Sequence, residues 1–169
     1  MIRGDPTVKE CLELLQARTG RGLVEISQAI AQMEECFVAA KDYPSARSFL
    51  EIQSVAQTAF QRWVDRAIAD LEILLSAGKL NRTTVSRMAA LELGGFAEKI
   101  KDATKAETFR EVVNPRSIRA ERHMYAQLLL ARLRRFEEGV MELQKVETEE
   151  SRSGTHEPRS SGTPKPPKR

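Results

Sequence analysis

A chain of 169 residues that is 41% apolar, 30% charged and only 5% aromatic can bury one core. Its balance is that of long amphipathic helices or of a chain with a disordered end. The formal charge of +3 comes from one end: residues 151–169 hold five of the 27 Lys/Arg and one of the 24 acids, a net +4, which leaves the first 150 residues at −1. The basic balance therefore does not argue for a nucleic-acid-binding body, and an apolar run no longer than about five residues ("CFVAA", 36–40) excludes a membrane span.

In chain order, Asp5-Pro6 offers an N-cap followed by proline at the first helical position, which predicts a short helix over 6–18. "TGRG" (19–22) breaks it. From there Leu23, Ile26, Ile30, Met33, Phe37 and Ala40 recur three and four apart, a coiled-coil seam. Residues 1–42 thus read as an N-terminal helical hairpin with the outline of a helix-turn-helix element.

Asp42-Tyr43-Pro44 stops the chain and restarts it as a long helix over 44–77. Phe60, Trp63 and Leu71 lie in its apolar stripe, which Val55, Ala59, Ile68 and Leu75 widen enough to meet two neighbours. Gly78 ends this helix as a left-handed cap. Asn81, Thr83 and Thr84 are capping candidates for the next one, which Gly94-Gly95 interrupts as a kink or a close helix contact. Thr104 and Glu107 have capping-box spacing for a short continuation.

Asn114-Pro115 opens the last helix, 115–147, with Tyr125, Leu129, Leu133 and Phe136 in its buried stripe. Residues 43–147 form the helical core and oligomerisation region. The Ser-, Gly- and Pro-rich segment 148–169 has no apolar periodicity and too little surface to offset its ordering entropy, so disorder is expected there. The expected fold is all-α: a bundle of long helices with coiled-coil-like packing and a disordered C-terminal tail.

The last helix carries six arginines. At about 100° per residue, Arg116, Arg119, His123 and Arg134 gather on the side opposite the apolar stripe. Arg122 falls inside the stripe, where an unpaired guanidinium is expensive, so a carboxylate partner is expected for it. Arg132 lies at the stripe's edge. The candidate nucleic-acid contacts are accordingly Arg116, Arg119, His123 and Arg134, with Lys165, Lys168 and Arg169 of the tail. The other reading of that face is a solvated helix surface laced with salt bridges.

Reactive machinery is not legible. Two histidines and two cysteines show no metal-ligand or redox spacing, and the glycine pairs lack the residues of a phosphate loop. No enzyme activity, catalytic residue, metal, cofactor or small-molecule substrate is expected.

The order of segments is the remaining clue. "VKECLELLQARTGRGLVEISQAIAQM" (8–33) resembles a helix-turn-helix opening, and "YPSARSFLEIQSVAQTAFQRWVDRAIADLEILL" (43–75) a long oligomerisation helix; a helical region and a basic tail follow. This order is similar to that of the small subunits of phage terminases. The resemblance implies a non-enzymatic DNA-recognition adaptor whose helical core assembles into a ring. Its partners would be further copies of itself, DNA and a large packaging ATPase subunit, in the cytoplasm of a host cell. Two other readings share the fold: a scaffold, chaperone or adaptor that binds another protein's helix, and a helical small subunit of an RNA-guided complex.

Overall fold

The computed structural model describes residues 7–153, with side chains described through Gly139. It contains α1 (Val8–Ala39), α2 (Ala46–Ala77), α3 (Arg82–Ala103), a single 3-10 turn (Ala106–Phe109) and α4 (Pro115–Ser153). No strand occurs among the described residues. The fold is an all-α bundle, as the periodicity predicts.

Helix α1 corrects the reading of the N-terminus. It is one helix of 32 residues that runs straight through "TGRG", so the chain has neither a hairpin over 1–42 nor a helix-turn-helix there. The predicted cap at Asp5-Pro6 lies outside the described residues. The described cap is Thr7, whose hydroxyl accepts from the Glu10 amide at 3.3 Å while its own amide donates to the Glu10 carboxylate at 2.6 Å. The two glycines cost helix propensity, about 1 kcal/mol each relative to alanine, but only Gly22 is buried, and it is compensated by contact. A Cβ on Gly22 would lie 2.9 Å from both Trp63 Cγ and Phe96 Cζ. The glycine is a notch in which an α2 ring and an α3 ring meet the α1 backbone. Tertiary packing overrides the local break.

The seam therefore starts earlier than expected, at Cys11 and Leu15, and continues through Gly22, Ile26, Ile30 and Phe37, all buried. Ala40 is the exposed C-cap residue and lies beyond it. Lys41, at φ 58°, turns the chain. Ser45 then caps α2 by accepting from the Ser48 amide at 2.9 Å, and the Ser48 hydroxyl accepts from the Ser45 amide at the same distance.

Three further junctions differ from expectation. Gly78 ends α2 in extended backbone, φ −151°, rather than as a left-handed cap. Gly94 and Gly95 sit inside an uninterrupted α3 and have no neighbour within 4 Å of a built Cβ, so they mark no close contact. Thr104 caps the end of α3, its hydroxyl donating to the Lys101 carbonyl at 2.8 Å. The continuation after it is a 3-10 turn entered through Lys105 at φ 49°, without a capping box.

Side-chain pairs give the topology. Arg18–Asp70 (2.5 Å) and Arg62–Glu25 (3.1 Å) set α1 and α2 antiparallel. Gly22 beside Phe96, and Lys105 bonded to Glu34 at 3.1 Å, set α1 and α3 parallel. Phe60 edge-on to Tyr125 (5.2 Å) and Asp65 bonded to Arg132 (2.6 Å) set α2 and α4 parallel. Helix α2 is thus covered by α1 on one flank and α4 on another, which accounts for its wide stripe.

Phe60, Trp63, Leu71, Tyr125, Leu129, Leu133 and Phe136 all lie in this core, each no more than 7% exposed in the single chain. They are packing residues, as expected. Their second expected role, as oligomer contacts, is corrected: side chains covered within one chain leave no face for another. At about 1.5–3 kcal/mol per large apolar side chain, this core is the main stabilising element.

The compact body ends at Glu137. From Glu138 onward the chain belongs to a separate unit, in which the backbone is helical to Ser153, six residues past the predicted end at Glu147. The rest of the predicted tail, 154–169, with Lys165, Lys168 and Arg169, lies outside the described residues.

Candidate nucleic-acid interface

The N-terminus of α4 is fixed by Asn114, whose side-chain oxygen accepts from the Arg116 amide at 2.9 Å, and by Pro115 at the first helical position, where its missing N–H costs nothing. Buried Ile118, Tyr125, Leu129, Leu133 and Phe136 then set the rotation of the helix. With that stripe turned inward, Arg116, Arg119, His123 and Arg134 are all exposed on the outer face, as the helical wheel predicts.

The arginines of the chain divide by position. Arg66 lies 5.3 Å over the Trp63 ring without an ion pair, while four others near apolar surface are held by carboxylates. Arg122 reaches Glu107 at 3.2 Å, the partner its place in the stripe demands, although the pair is about half exposed rather than buried. Arg132 bonds Asp65 and Arg18 bonds Asp70. Arg82 is the most tightly held. Its two terminal nitrogens bond the two oxygens of Glu72 at 2.6 and 2.8 Å, one of them also donates to the Phe136 carbonyl at 2.6 Å, and the guanidinium lies 5.0 Å above the Phe136 ring. The hydrogen bond to Glu72 holds its pKa above the ordinary arginine value.

Arg116, Arg119 and Arg134 make no ion pair with any described residue. The reason is compositional. Between 115 and 136 six arginines face a single carboxylate, Glu121, and Glu121 lies inward, where it accepts from the Gln57 amide of α2. From Arg116 to Arg134 the outer face therefore carries no acid for about 27 Å, at 1.5 Å rise per residue; exposed Glu137 and Glu138 interrupt it one turn later. Its middle is uncharged, with exposed Gln127 and Leu130. Arg135, also exposed, points about 100° away from this ridge.

Two residues that matter were missed by sequence reasoning. Arg82 pairs with Glu72 across a helix–helix junction, a separation of ten residues that carries no periodic signal. Glu34, which no periodic signal singles out, accepts from Lys105 at 3.1 Å and from the Tyr43 hydroxyl at 3.4 Å. Elsewhere, Cys11 is buried, which pushes its thiol pKa up. Among the described residues no group of three His, Cys, Asp or Glu converges to hold a metal ion, and no helix is long and apolar enough to cross a membrane. Compared with known protein families, characterised proteins and solved structures, the chain matches none.

Proposed function

We propose that this chain is a non-enzymatic helical binding module whose α4 outer face contacts nucleic acid. One observation carries the reading: Arg116, Arg119 and Arg134 share one exposed helix face without a described ion pair, whereas Arg18, Arg82, Arg122 and Arg132 are each held by a carboxylate. Arg116 and Arg119 stand one turn apart and raise the local potential at one end of the face, Arg134 adds a charge at the other, and a polyanion that displaces counterions along it is favoured. The cationic residues of the tail, among them Lys165, Lys168 and Arg169, add charge to the same partner.

Within this reading, a DNA-packaging adaptor of the small-terminase kind remains the specific role proposed, with one change. The continuous α1 takes the place of the helix-turn-helix, so we assign the DNA contact to α4 instead of the N-terminus. Assembly into a ring would have to use surfaces other than the covered stripes of α2 and α4.

The test is a triple substitution of exposed residues, Arg116→Gln, Arg119→Gln and Arg134→Gln. Binding to a labelled nucleic acid at about 50 mM salt should fall by at least tenfold with helicity unchanged by circular dichroism. Equal binding by the two proteins would remove the proposal.

A second reading is favoured by a different surface. An open groove of ≈590 Å³ between α1 and α2 is lined by Ala29, Met33, Cys36, Phe37 and Val55, with Arg47 and Glu51 at its rim. A partner's amphipathic helix fits such a groove, and the module would then be a protein-interaction scaffold. The triple substitution separates the two readings, because a scaffold working through the α1–α2 groove is indifferent to it.

A further inference from the structure

The groove between α1 and α2 extends beyond its deepest part. The cavity of ≈590 Å³ shares Ala29 and Val55 with a neighbour of ≈260 Å³, which in turn shares Thr58 and Arg62 with a third of ≈550 Å³. The three run into one another along α2 from Arg47 to Ala69, a trough of about 33 Å at 1.5 Å rise per residue. Its character changes on the way. Met33, Cys36, Phe37 and Val55 line the Arg47 end, whereas Gln61, Arg62, Asp65 and Arg66 line the Ala69 end.

The charges that line the trough are paired, with two exceptions. Arg47 is held by Glu51 at 3.0 Å, Arg62 by Glu25 at 3.1 Å and Asp65 by Arg132 at 2.6 Å. Asp42, at the apolar end, and Arg66, at the polar end, make no ion pair with any described residue. Asp42 acts on Arg47 only at longer range, and Arg66 lies over the Trp63 ring. The trough is therefore negative at the end where α2 begins and positive toward the other.

A helix laid along it matches that polarity in one direction only. Its macrodipole carries about half a positive charge at the N-terminus and half a negative charge at the C-terminus. The N-terminus then lies over Asp42 and the C-terminus over Arg66, parallel to α2. Apolar residues at i, i+3, i+4 and i+7 in its first turns fill the space beside Met33, Phe37 and Val55, and a carboxylate in its last turn reaches Arg66. A second copy of this chain has no such stripe to spare among the described residues. Its apolar stripes are buried within one chain, and no two of its exposed large apolar residues are close enough in sequence to share two turns of a helix.

Resting on the second reading, of the α1–α2 groove as a docking surface, we infer that its partner is a single amphipathic helix of another protein, about 20 residues long, bound parallel to α2 with an apolar N-terminal half and an acidic last turn.

The experiment uses the full-length protein and a phage-displayed library of helix-forming peptides of about that length, randomised along one face. Enriched sequences should carry apolar residues at helical spacing first and Asp or Glu near the C-terminus. A synthesised winner should lose at least tenfold in affinity to the Val55→Arg protein, with helicity unchanged by circular dichroism, and about two- to fivefold to the Arg66→Gln protein, as expected for one charge at a helix end. Winners that need Val55 but lack the helical pattern, end in basic residues or ignore Arg66→Gln overturn the inference while leaving the groove reading in place. No enrichment, or winners indifferent to Val55→Arg, overturns the groove reading itself. A concentration-dependent dimer of the protein that Val55→Arg abolishes gives the trough to a second copy and also overturns the inference.

Discussion

The two faces of α4 use the same residue types under opposite rules. On the inner side and its edges, Arg122 and Arg132 each meet a carboxylate from another element, and Phe136 packs beneath the guanidinium of Arg82. On the outer side Arg116, Arg119 and Arg134 stand in solvent with no described partner. The difference follows from where desolvation is paid: a guanidinium beside apolar surface needs a counter-charge, while one in water does not. Arginine content alone therefore says little. The partner of each arginine separates the structural ones from those available to a ligand.

The largest expected effect lies on the inner face. Phe136→Ala removes a core ring that is 2% exposed and also the surface on which Arg82 lies. It should cost about 3–5 kcal/mol, the usual range for phenylalanine truncation in a core, read as a loss of unfolding free energy in urea. If the cost is under about 1 kcal/mol, the inner face of α4 is not the packing surface described.

A second contrast, smaller in size, lies within four residues of α1. Gly22 faces Trp63 and Phe96, whereas Gly20 has nothing within 4 Å of a built Cβ. Alanine is favoured over glycine in a helix by about 1 kcal/mol, so Gly20→Ala should raise the thermal midpoint. Gly22→Ala gains the same term but inserts a methyl 2.9 Å from Trp63 Cγ. That atom is at the base of a buried ring and has little room to move, so overpacking of about 1–3 kcal/mol should lower the midpoint. Trp63 is the only tryptophan, and its emission reports whether the notch has opened. Midpoints that move in the same direction would break the contrast.

That pair of glycines also shows what was legible in the sequence. The helical class, the stripes of α2 and α4 and the placement of the four basic residues on one face followed from spacing, because a 3.6-residue period fixes which side chains share a side. Arg122 has the carboxylate partner its place in the stripe suggests, but the pair is about half exposed, so burial does not demand it. The continuity of α1 did not follow. Two glycines in four residues carry the same local signal whether they end a helix or admit a neighbour's ring, and the ring comes from Trp63, some forty residues away. The Arg82–Glu72 clasp was hidden for the same reason. The width of the α2 stripe called for two neighbours without saying whose they are, and the structure supplies them from the same chain, because spacing fixes a face but not what covers it.

The smallest effects decide whether the two faces of α4 are as distinct as their ion pairs imply. Arg132→Ala breaks the bond to Asp65, but Asp65 is about half exposed, and a pair so screened is worth at most about 1 kcal/mol. A loss of unfolding free energy of that order, seen as a small drop in the thermal midpoint, with nucleic-acid affinity unchanged, is the expected outcome. Arg134→Ala, two residues along, should do the reverse: the midpoint stays where it is, and affinity falls, because the ridge loses its distal station. A double-mutant cycle between Arg132→Ala and Asp65→Ala would yield the pair energy directly. Should Arg132→Ala weaken binding as much as Arg134→Ala does, the ligand is reading the total charge of the helix and not one face of it. The paired and unpaired arginines would then be functionally one set.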